Sequence, residues 1–242
     1  CPFVSEEAKV QLQEASAPPI RPMTIGTGPK ALKIGGETVM FRHEKRFENP
    51  SGLAMLVTDS LSDADVDTRL AKFNLLKYER VGLTLRPELI AIKETTGDAG
   101  KFETLVSKVA KNNDGGIVLM SDNVDILAAG VKACVDKKPL LYAATKDNWE
   151  TVTALAKTNS CPVVAKGANL EEVADVTTKI SQAGVNDIVI DSGSRTIRQA
   201  FQDQIIIRGS ALAKKFRPLG FPTIVFPCEM TQDPMMEAMI AS

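Results

Sequence analysis

Ile117-Val118-Leu119-Met120, Leu140-Leu141-Tyr142-Ala143, Val163-Val164-Ala165 and Ile188-Val189-Ile190 are four short β-rich runs with almost no polar interruption. Such runs are what a strand needs when both of its faces are covered. Between them apolar residues recur at helical spacing: Leu127, Val131 and Cys134 after the first run, Leu170, Val173 and Ile180 after the third. A buried strand followed by one amphipathic helix, repeated, builds a parallel sheet with helices laid over it.

The alternation extends in both directions. Leu53–Thr58 and Val81–Leu85 precede the four runs, and Thr223–Phe226 follows them. Leu89–Ile92 is a further apolar run, either an extension of the second strand or a separate turn. Val66, Leu70 and Phe73, then Phe102, Leu105 and Val109, then Ile197, Phe201 and Ile205 mark three more helices. Ser62, Asp122 and Asn169 are expected N-caps, and Asp233-Pro234 opens a last helix. Seven such units over residues 51–242 take about 27 residues each. A (β/α)8 barrel uses about 250 residues for eight. A doubly wound open sheet is the rival, but no strand leads into a Gly-rich GxGxxG turn. The expected fold is α/β, a TIM (β/α)8-type barrel truncated after about seven strands, with a short N-terminal β-hairpin extension.

Ahead of the barrel, Ser5-Glu6-Glu7 opens a short helix through Leu12 to Ala15, and Ala17-Pro18-Pro19-Ile20-Arg21-Pro22 reads as a stiff linker. Met23–Ile25, Ala31–Ile34 and Glu37–Phe41 read as short strands, separated by Gly26-Thr27-Gly28-Pro29 and Gly35-Gly36. The expected division is a tail and linker at 1–22, the hairpin extension at 23–50 and the barrel at 51–242. The start and the end both look like cuts.

The composition narrows the function classes. With 44% hydrophobic and 24% charged residues, the 242-residue chain can bury a core. A formal net charge of −1 argues against a polybasic nucleic-acid binder. Aromatics at 5% argue against stacking surfaces for bases or sugars. No run approaches the ~18 apolar residues of a membrane span. Neither nucleic acid nor membrane is an expected partner. No signal peptide is visible. Cys1, Cys134, Cys161 and Cys228 form no CxxC pair, which points to a reducing cytoplasm.

Barrel enzymes place their chemistry at the C-terminal ends of the strands. Those positions hold Asp59, Arg86, Asp122, Thr145, Lys166, Asp191 and Glu229. The single histidine, His43, lies before the barrel, which excludes a Ser–His–Asp triad, an HExxH site and a His-based metal site. Asp, Glu and Lys remain for acid–base work, although strand-end polar residues more often cap helices. Asp191-Ser192-Gly193-Ser194-Arg195 is the strongest local candidate: a Gly/Ser turn into a helix whose free N–H groups suit an anion, with Arg195 beside it and Ser194 as the plain N-cap. Cys134 lies on an apolar helix face, Cys161 precedes Pro162, and Cys228 has no histidine near it, so all three read as structural thiols. The Met230–Met239 set reads as core or interface. Cys1-Pro2 is different, because iron–sulfur motifs often close with Cys-Pro.

Several stretches also carry a resemblance: Cys1-Pro2-Phe3-Val4-Ser5-Glu6-Glu7-Ala8 with Ala17–Pro22, Phe41-Arg42-His43-Glu44-Lys45, Asn49-Pro50-Ser51-Gly52, Arg80–Pro87, Leu140–Thr145 and Lys215-Phe216-Arg217-Pro218-Leu219-Gly220. They resemble the large (gamma) subunit of the corrinoid iron–sulfur protein that serves acetyl-CoA synthase/decarbonylase, over nearly the whole chain. The resemblance implies an N-terminal [4Fe-4S] domain, a central TIM barrel and a C-terminal cobalamin domain, the latter absent here. It implies three partners: a small (delta) barrel subunit, a methyltetrahydrofolate:corrinoid methyltransferase and acetyl-CoA synthase. The function implied is a methyl carrier in the reductive acetyl-CoA (Wood–Ljungdahl) pathway. Of the family's four cluster cysteines only the fourth matches, at Cys1, so the cluster and the corrinoid belong to the longer parent chain. The barrel is expected to be scaffold and subunit interface, with no catalytic residue of its own. The alternative is a barrel enzyme that binds a methylated pterin through Asp59, Lys166 and Asp191.

Overall fold

A computed structural model describes residues 4–41, 43–45 and 49–241. Helix α1 (Glu6–Ser16) leads into an antiparallel pair, β1 (Met23–Ile25) and β2 (Leu32–Ile34). The main body begins with β3 (Ala54–Thr58) and α2 (Asp63–Leu75). A second antiparallel pair follows, β4 (Tyr78–Arg80) and β5 (Leu83–Leu85). Then come β6 (Leu89–Lys93), α3 (Ala99–Asn112), β7 (Gly116–Met120), α4 (Val124–Cys134), β8 (Leu140–Ala144), α5 (Trp149–Asn159), β9 (Val163–Lys166), α6 (Leu170–Gln182), β10 (Ile188–Asp191), α7 (Ile197–Leu212) and α8 (Pro234–Ala241).

The order of the central sheet is β10-β9-β8-β7-β6-β3, all parallel. Each new strand is added on the same side as the last. A doubly wound sheet reverses direction at a switch point; this one does not, which is barrel winding. After six strands the seventh is reduced to one parallel bridge, Ile190 to Thr223. Thr223–Phe226 does not form the expected strand, because beyond Ile224 its backbone turns into a short 3-10 turn at Pro227–Glu229.

The second barrel strand is β6, not Val81–Leu85. Val81 and Gly82 both have positive φ, 50° and 74°, and make the two-residue turn of the exposed β4–β5 hairpin. Leu89 through Ile92 is buried at every position, as a strand covered on both faces must be. The hairpin run is instead broken by Glu79, Thr84 and Arg86.

Two apolar layers follow from the period-two alternation of the strands. Val57, Ile90, Ile92, Ile117, Leu119, Leu141, Val163, Ile188 and Ile190 face the helices, where they meet Val66, Leu70, Phe102, Val106, Leu127, Val131, Val152 and Val173. Leu89, Ala91, Val118, Met120, Leu140, Tyr142, Val164 and Val189 face inward. Met23, Ile25 and Leu32 of the N-terminal hairpin complete the inner layer. A Cβ on Gly116, the first residue of β7, would lie 3.2 Å from Ile25 Cγ2, so the hairpin closes the N-terminal end of the barrel.

Of the five helices with an expected apolar face, four bury that face and one does not. The buried faces of α2, α3 and α4 contain every residue expected there, and Val173 and Ile180 are buried on α6. On α7 the expected stripe is turned outward: Ile197, Phe201 and Ile205 are 47%, 67% and 55% exposed. Ala200, Ile207 and Ala211 face the sheet instead, because small side chains let this helix lie close. Helix α5 is an addition to the sequence reading. Ser62 and Asn169 cap as expected, whereas Asn123, not Asp122, caps α4.

The stiff Pro-rich segment at 17–22 packs against the barrel. Arg217 donates to the carbonyls of Ala17 and Pro18, Arg21 N–H donates to Gly220, and Ile20 is buried. Glu37–Phe41 is not a strand; Arg208 holds the carbonyls of Val39 and Met40.

Candidate functional site at the barrel mouth

The inward side of the sheet changes character along its length. Two residues beyond Ala91, Val164 and Val189, the same alternation places Lys93, Lys166 and Asp191 at the C-terminal ends of their strands. The loop after the Thr223 bridge brings Phe226 and Glu229 over them.

Asp191 is the anchor. Its carboxylate is 1% exposed and accepts from Arg195 on both oxygens, at 3.1 and 2.9 Å. Tyr142 Oη donates to it at 2.7 Å, and the N–H of Gly193 at 2.9 Å. Burial acts to raise the Asp191 pKa, but these hydrogen bonds and the guanidinium charge overcome it and hold it below the usual carboxylate range. Burial and the neighbouring carboxylate push the Tyr142 hydroxyl well above its ordinary value, so it stays a proton donor.

Arg195 continues outward. Its Nε donates to Glu229 Oε2 at 2.6 Å, and Lys93 Nζ to Glu229 Oε1 at 2.9 Å. Burial would lift the Glu229 pKa, but the two cations depress it. The guanidinium also lies 4.7 Å from the centroid of the Phe226 ring, which meets the Tyr142 ring edge-on at 5.3 Å. Lys166 stands over the Tyr142 ring, 5.3 Å from its centroid. It has neither hydrogen bond nor ion pair among the described residues.

Of the strand-end candidates, the structure brings Lys166, Asp191 and Glu229 together with Arg195. Asp59 lies apart, its two carboxylate oxygens taken by the hydroxyls and N–H groups of Thr95 and Thr96. Burial opposes ionisation of Asp59, and those bonds prevail, leaving its pKa lowered. Thr145 N–H donates to Asn148 Oδ1 at the start of α5. Asp122 is exposed beyond β7. Arg86 is at the wrong end, since the strand it was read to finish is the exposed hairpin. It lines a cavity of about 40 Å³ with Lys30, Asn113 and Asp114, beside the N-terminal ends of β6 and β7. Ser194 is not the N-cap of α7; that is Thr196, and Ser194 Oγ donates to Asp203.

Lys93, Tyr142 and Phe226 went unread as site residues. Lys93 ends the strand that the sequence left undecided, and Leu89-Ile90-Ala91-Ile92-Lys93 is the signal that finds it. Tyr142 is the polar-tipped residue inside an otherwise aliphatic strand.

Among the described residues no three His, Cys, Asp or Glu side chains gather as a metal ligand set. Cys134 and Cys161 are buried in the outer layer, where desolvation pushes their thiols up to about 12 and about 11. Cys228 is half-buried and also raised, by burial and by Glu229. Low-pKa thiolates, the form that binds metal, are therefore not what these sites favour. The described residues supply no thiol set that fits a [4Fe-4S] cluster. Cys1 lies outside the described residues. No helix among those residues is long and apolar enough to cross a membrane.

The chain is similar to several known proteins. A family model, CO dehydrogenase/acetyl-CoA synthase delta subunit, matches residues 22–240. The corrinoid/iron-sulfur protein large subunit of Moorella thermoacetica is 40% identical over 224 residues, 93% of this chain and 50% of that protein. The acetyl-CoA decarbonylase/synthase complex subunit gamma 2 of Methanosarcina mazei is 35% identical over 237 residues, with 94% and 50% covered. The subunit gamma from Methanopyrus kandleri is 29% identical over 244 residues, with 98% and 52% covered. The chain thus spans about half the length of the relatives it matches. Among solved structures, dihydropteroate synthase from Xanthomonas albilineans in complex with 7,8-dihydropteroate aligns at a TM-score of 0.44 and 14% identity, over 71% of this chain and 70% of that one.

Proposed function

Because the chain belongs to the CO dehydrogenase/acetyl-CoA synthase delta subunit family, we propose that it is the barrel portion of a corrinoid iron–sulfur methyl carrier. The observation that carries this reading is the 40% identity to the Moorella large subunit across 93% of the chain. The family model bears the delta name, but these relatives are named large or gamma, and the gamma assignment follows them. In this reading residues 1–22 are the tail of a cluster domain, 23–50 the hairpin extension and 51–242 the barrel. A corrinoid domain accounts for further length in the relatives. Cys1 is the fourth ligand of the [4Fe-4S] cluster. The corrinoid, when bound, supplies the cobalt that carries the methyl group between a methyltetrahydrofolate:corrinoid methyltransferase and acetyl-CoA synthase. The partner that holds it with this chain is the small (delta) subunit, and the compartment is the cytoplasm.

The barrel acts here as scaffold. A pterin-binding enzyme needs strand-end groups free to grip its ligand, and Asp59 and Asp191 already spend their oxygens on protein donors. The absorption spectrum of the native full-length complex tests the reading: corrinoid and iron–sulfur bands are expected together, and the lack of both ends it. In that complex Cys1→Ala should lose cluster iron while transfer from already reduced corrinoid continues. Asp59→Asn and Lys166→Met should each slow methyl transfer less than about tenfold, or ~1.4 kcal/mol of barrier. A thousandfold loss at either, with folding and partner binding intact, makes the barrel catalytic.

A further inference from the structure

The mouth holds three cations from three separate strand ends and turns: Lys93 at the end of β6, Lys166 at the end of β9 and Arg195 after β10. Asp191 accounts for only one of them. Its oxygens are taken by Arg195, Tyr142 and Gly193, so it has little left for Lys166. The remaining carboxylate, Glu229, does not belong to the sheet. It comes from the 3-10 turn Pro227–Glu229, whose backbone bonds among the described residues run only to its own loop: Glu229 N–H to Phe226 O and Met230 N–H to Pro227 O. The last backbone bond to the sheet is Ile224 N–H to Ile190 O. The Glu229 side chain is 31% exposed, and it sits with one cation on each oxygen, Lys93 on one side and Arg195 on the other. That is the arrangement a bound carboxylate would have.

We propose that the barrel mouth is an oxyanion site that the protein's own Glu229 fills in this state. The carboxylate or phosphate group of a small ligand takes the place of Glu229 between Lys93 and Arg195, and Lys166 supplies the third cation. The exchange is like for like. An incoming oxyanion replaces one set of charge-assisted hydrogen bonds with another, and both cations stay paired throughout. Glu229 loses little on leaving, because a partly exposed carboxylate is rehydrated as it swings out. Phe226, buried in the inner layer, keeps the loop anchored while the side chain moves. Tyr142 ties the third cation to Arg195: its ring lies under Lys166 and its hydroxyl accepts from Arg195 Nη2 at 3.0 Å. This inference rests on the geometry of the mouth and stands whether or not the chain is a methyl carrier.

Chemical rescue tests it. In the full-length protein, Glu229→Ala removes the internal carboxylate, and the thermal transition that the change lowers is followed in sodium acetate, sodium phosphate and sodium chloride at matched ionic strength. Acetate or phosphate should raise that midpoint by about 1–2 °C over chloride, on the order of 0.5 kcal/mol for a domain this size. The same transition in the wild type should move less than about a third as far. Adding Lys166→Met should at least halve the rescue. A rise with acetate alone assigns a carboxylate ligand, and a rise with phosphate alone a phosphate-bearing one. Glu229→Ser, which also vacates the space between the two cations, serves as the second variant should the alanine protein be too unstable to measure. A variant that responds to neither anion beyond chloride, or as the wild type does, overturns the proposal. So does a rescue that Lys166→Met leaves untouched.

Discussion

At the N-terminal ends of the strands the barrel interior is stopped by Met23, Ile25 and Leu32; at the C-terminal ends it is stopped by Lys93, Tyr142, Asp191, Arg195, Phe226 and Glu229. The first closure uses buried apolar area, which is non-directional and asks only for shape. The second uses charge-assisted hydrogen bonds, which demand that each partner be in place. Ion pairs taken out of water return little net stability, because the desolvation cost offsets most of the attraction. An apolar cap would hold this end as well. The two closures therefore differ in what they are for: the hairpin end stabilises the barrel, and the charged end keeps a set of polar groups organised.

The largest expected effect is at the apolar end. Ile25→Ala removes a side chain that is 2% exposed against β7 and should lower stability by about 3 kcal/mol in equilibrium denaturation. A loss below about 1 kcal/mol would mean the hairpin is loosely seated. Asp191→Asn comes next. It removes the charge and turns one of the two acceptor oxygens into a donor facing Arg195; Arg195 keeps Glu229 and some solvent, so roughly 2 kcal/mol is expected, less than for a fully buried pair. A cost as large as that of Ile25→Ala would mean that the charged end carries stability after all.

Acid sharpens the contrast. The folded-state pKa values of Asp191 and Glu229 lie below the usual carboxylate range. Their contribution is complete above the unfolded-chain values near ~4 and is lost as pH falls through the folded values. In denaturation curves taken between neutral and acid pH, the gap between wild type and Asp191→Asn should narrow toward low pH. The gap to Ile25→Ala should stay constant. The smallest effect belongs to Glu229→Gln, whose partners are about a third exposed: less than about 1 kcal/mol at neutral pH, shrinking further in salt.

Parts of this were legible in the residues. Strands read as uninterrupted apolar runs were right where the run was long and flanked by helices, as at Ile117–Met120 and Ile188–Ile190. The reading went astray where two runs lay close together. Val81–Leu85 and Leu89–Ile92 look alike in composition, and only pairing shows that the first folds back on Tyr78–Arg80. That error hid Lys93 and moved Arg86 to the wrong end. Of the mouth, Lys166, Asp191, Arg195 and Glu229 were visible as polar residues at strand ends. Their mutual bonds were not, because Lys93 and Glu229 are separated by 136 residues and meet only when the barrel curves.

Local chemistry sufficed for the repeat of buried strand and amphipathic helix, for the caps at Ser62 and Asn169, and hence for the barrel class, since each depends on neighbours a few residues apart. Which face of α7 meets the sheet was decided only in three dimensions. Helical spacing shows that Ile197, Phe201 and Ile205 share a face, but not that close packing against the barrel selects the smaller Ala200 and Ala211 instead. The charge balance of the mouth was settled in the same way. Whether a strand-end carboxylate is free for a ligand or bound to its own protein depends on which distant side chains the closed fold brings within about 3 Å, a distance that no spacing along the chain encodes.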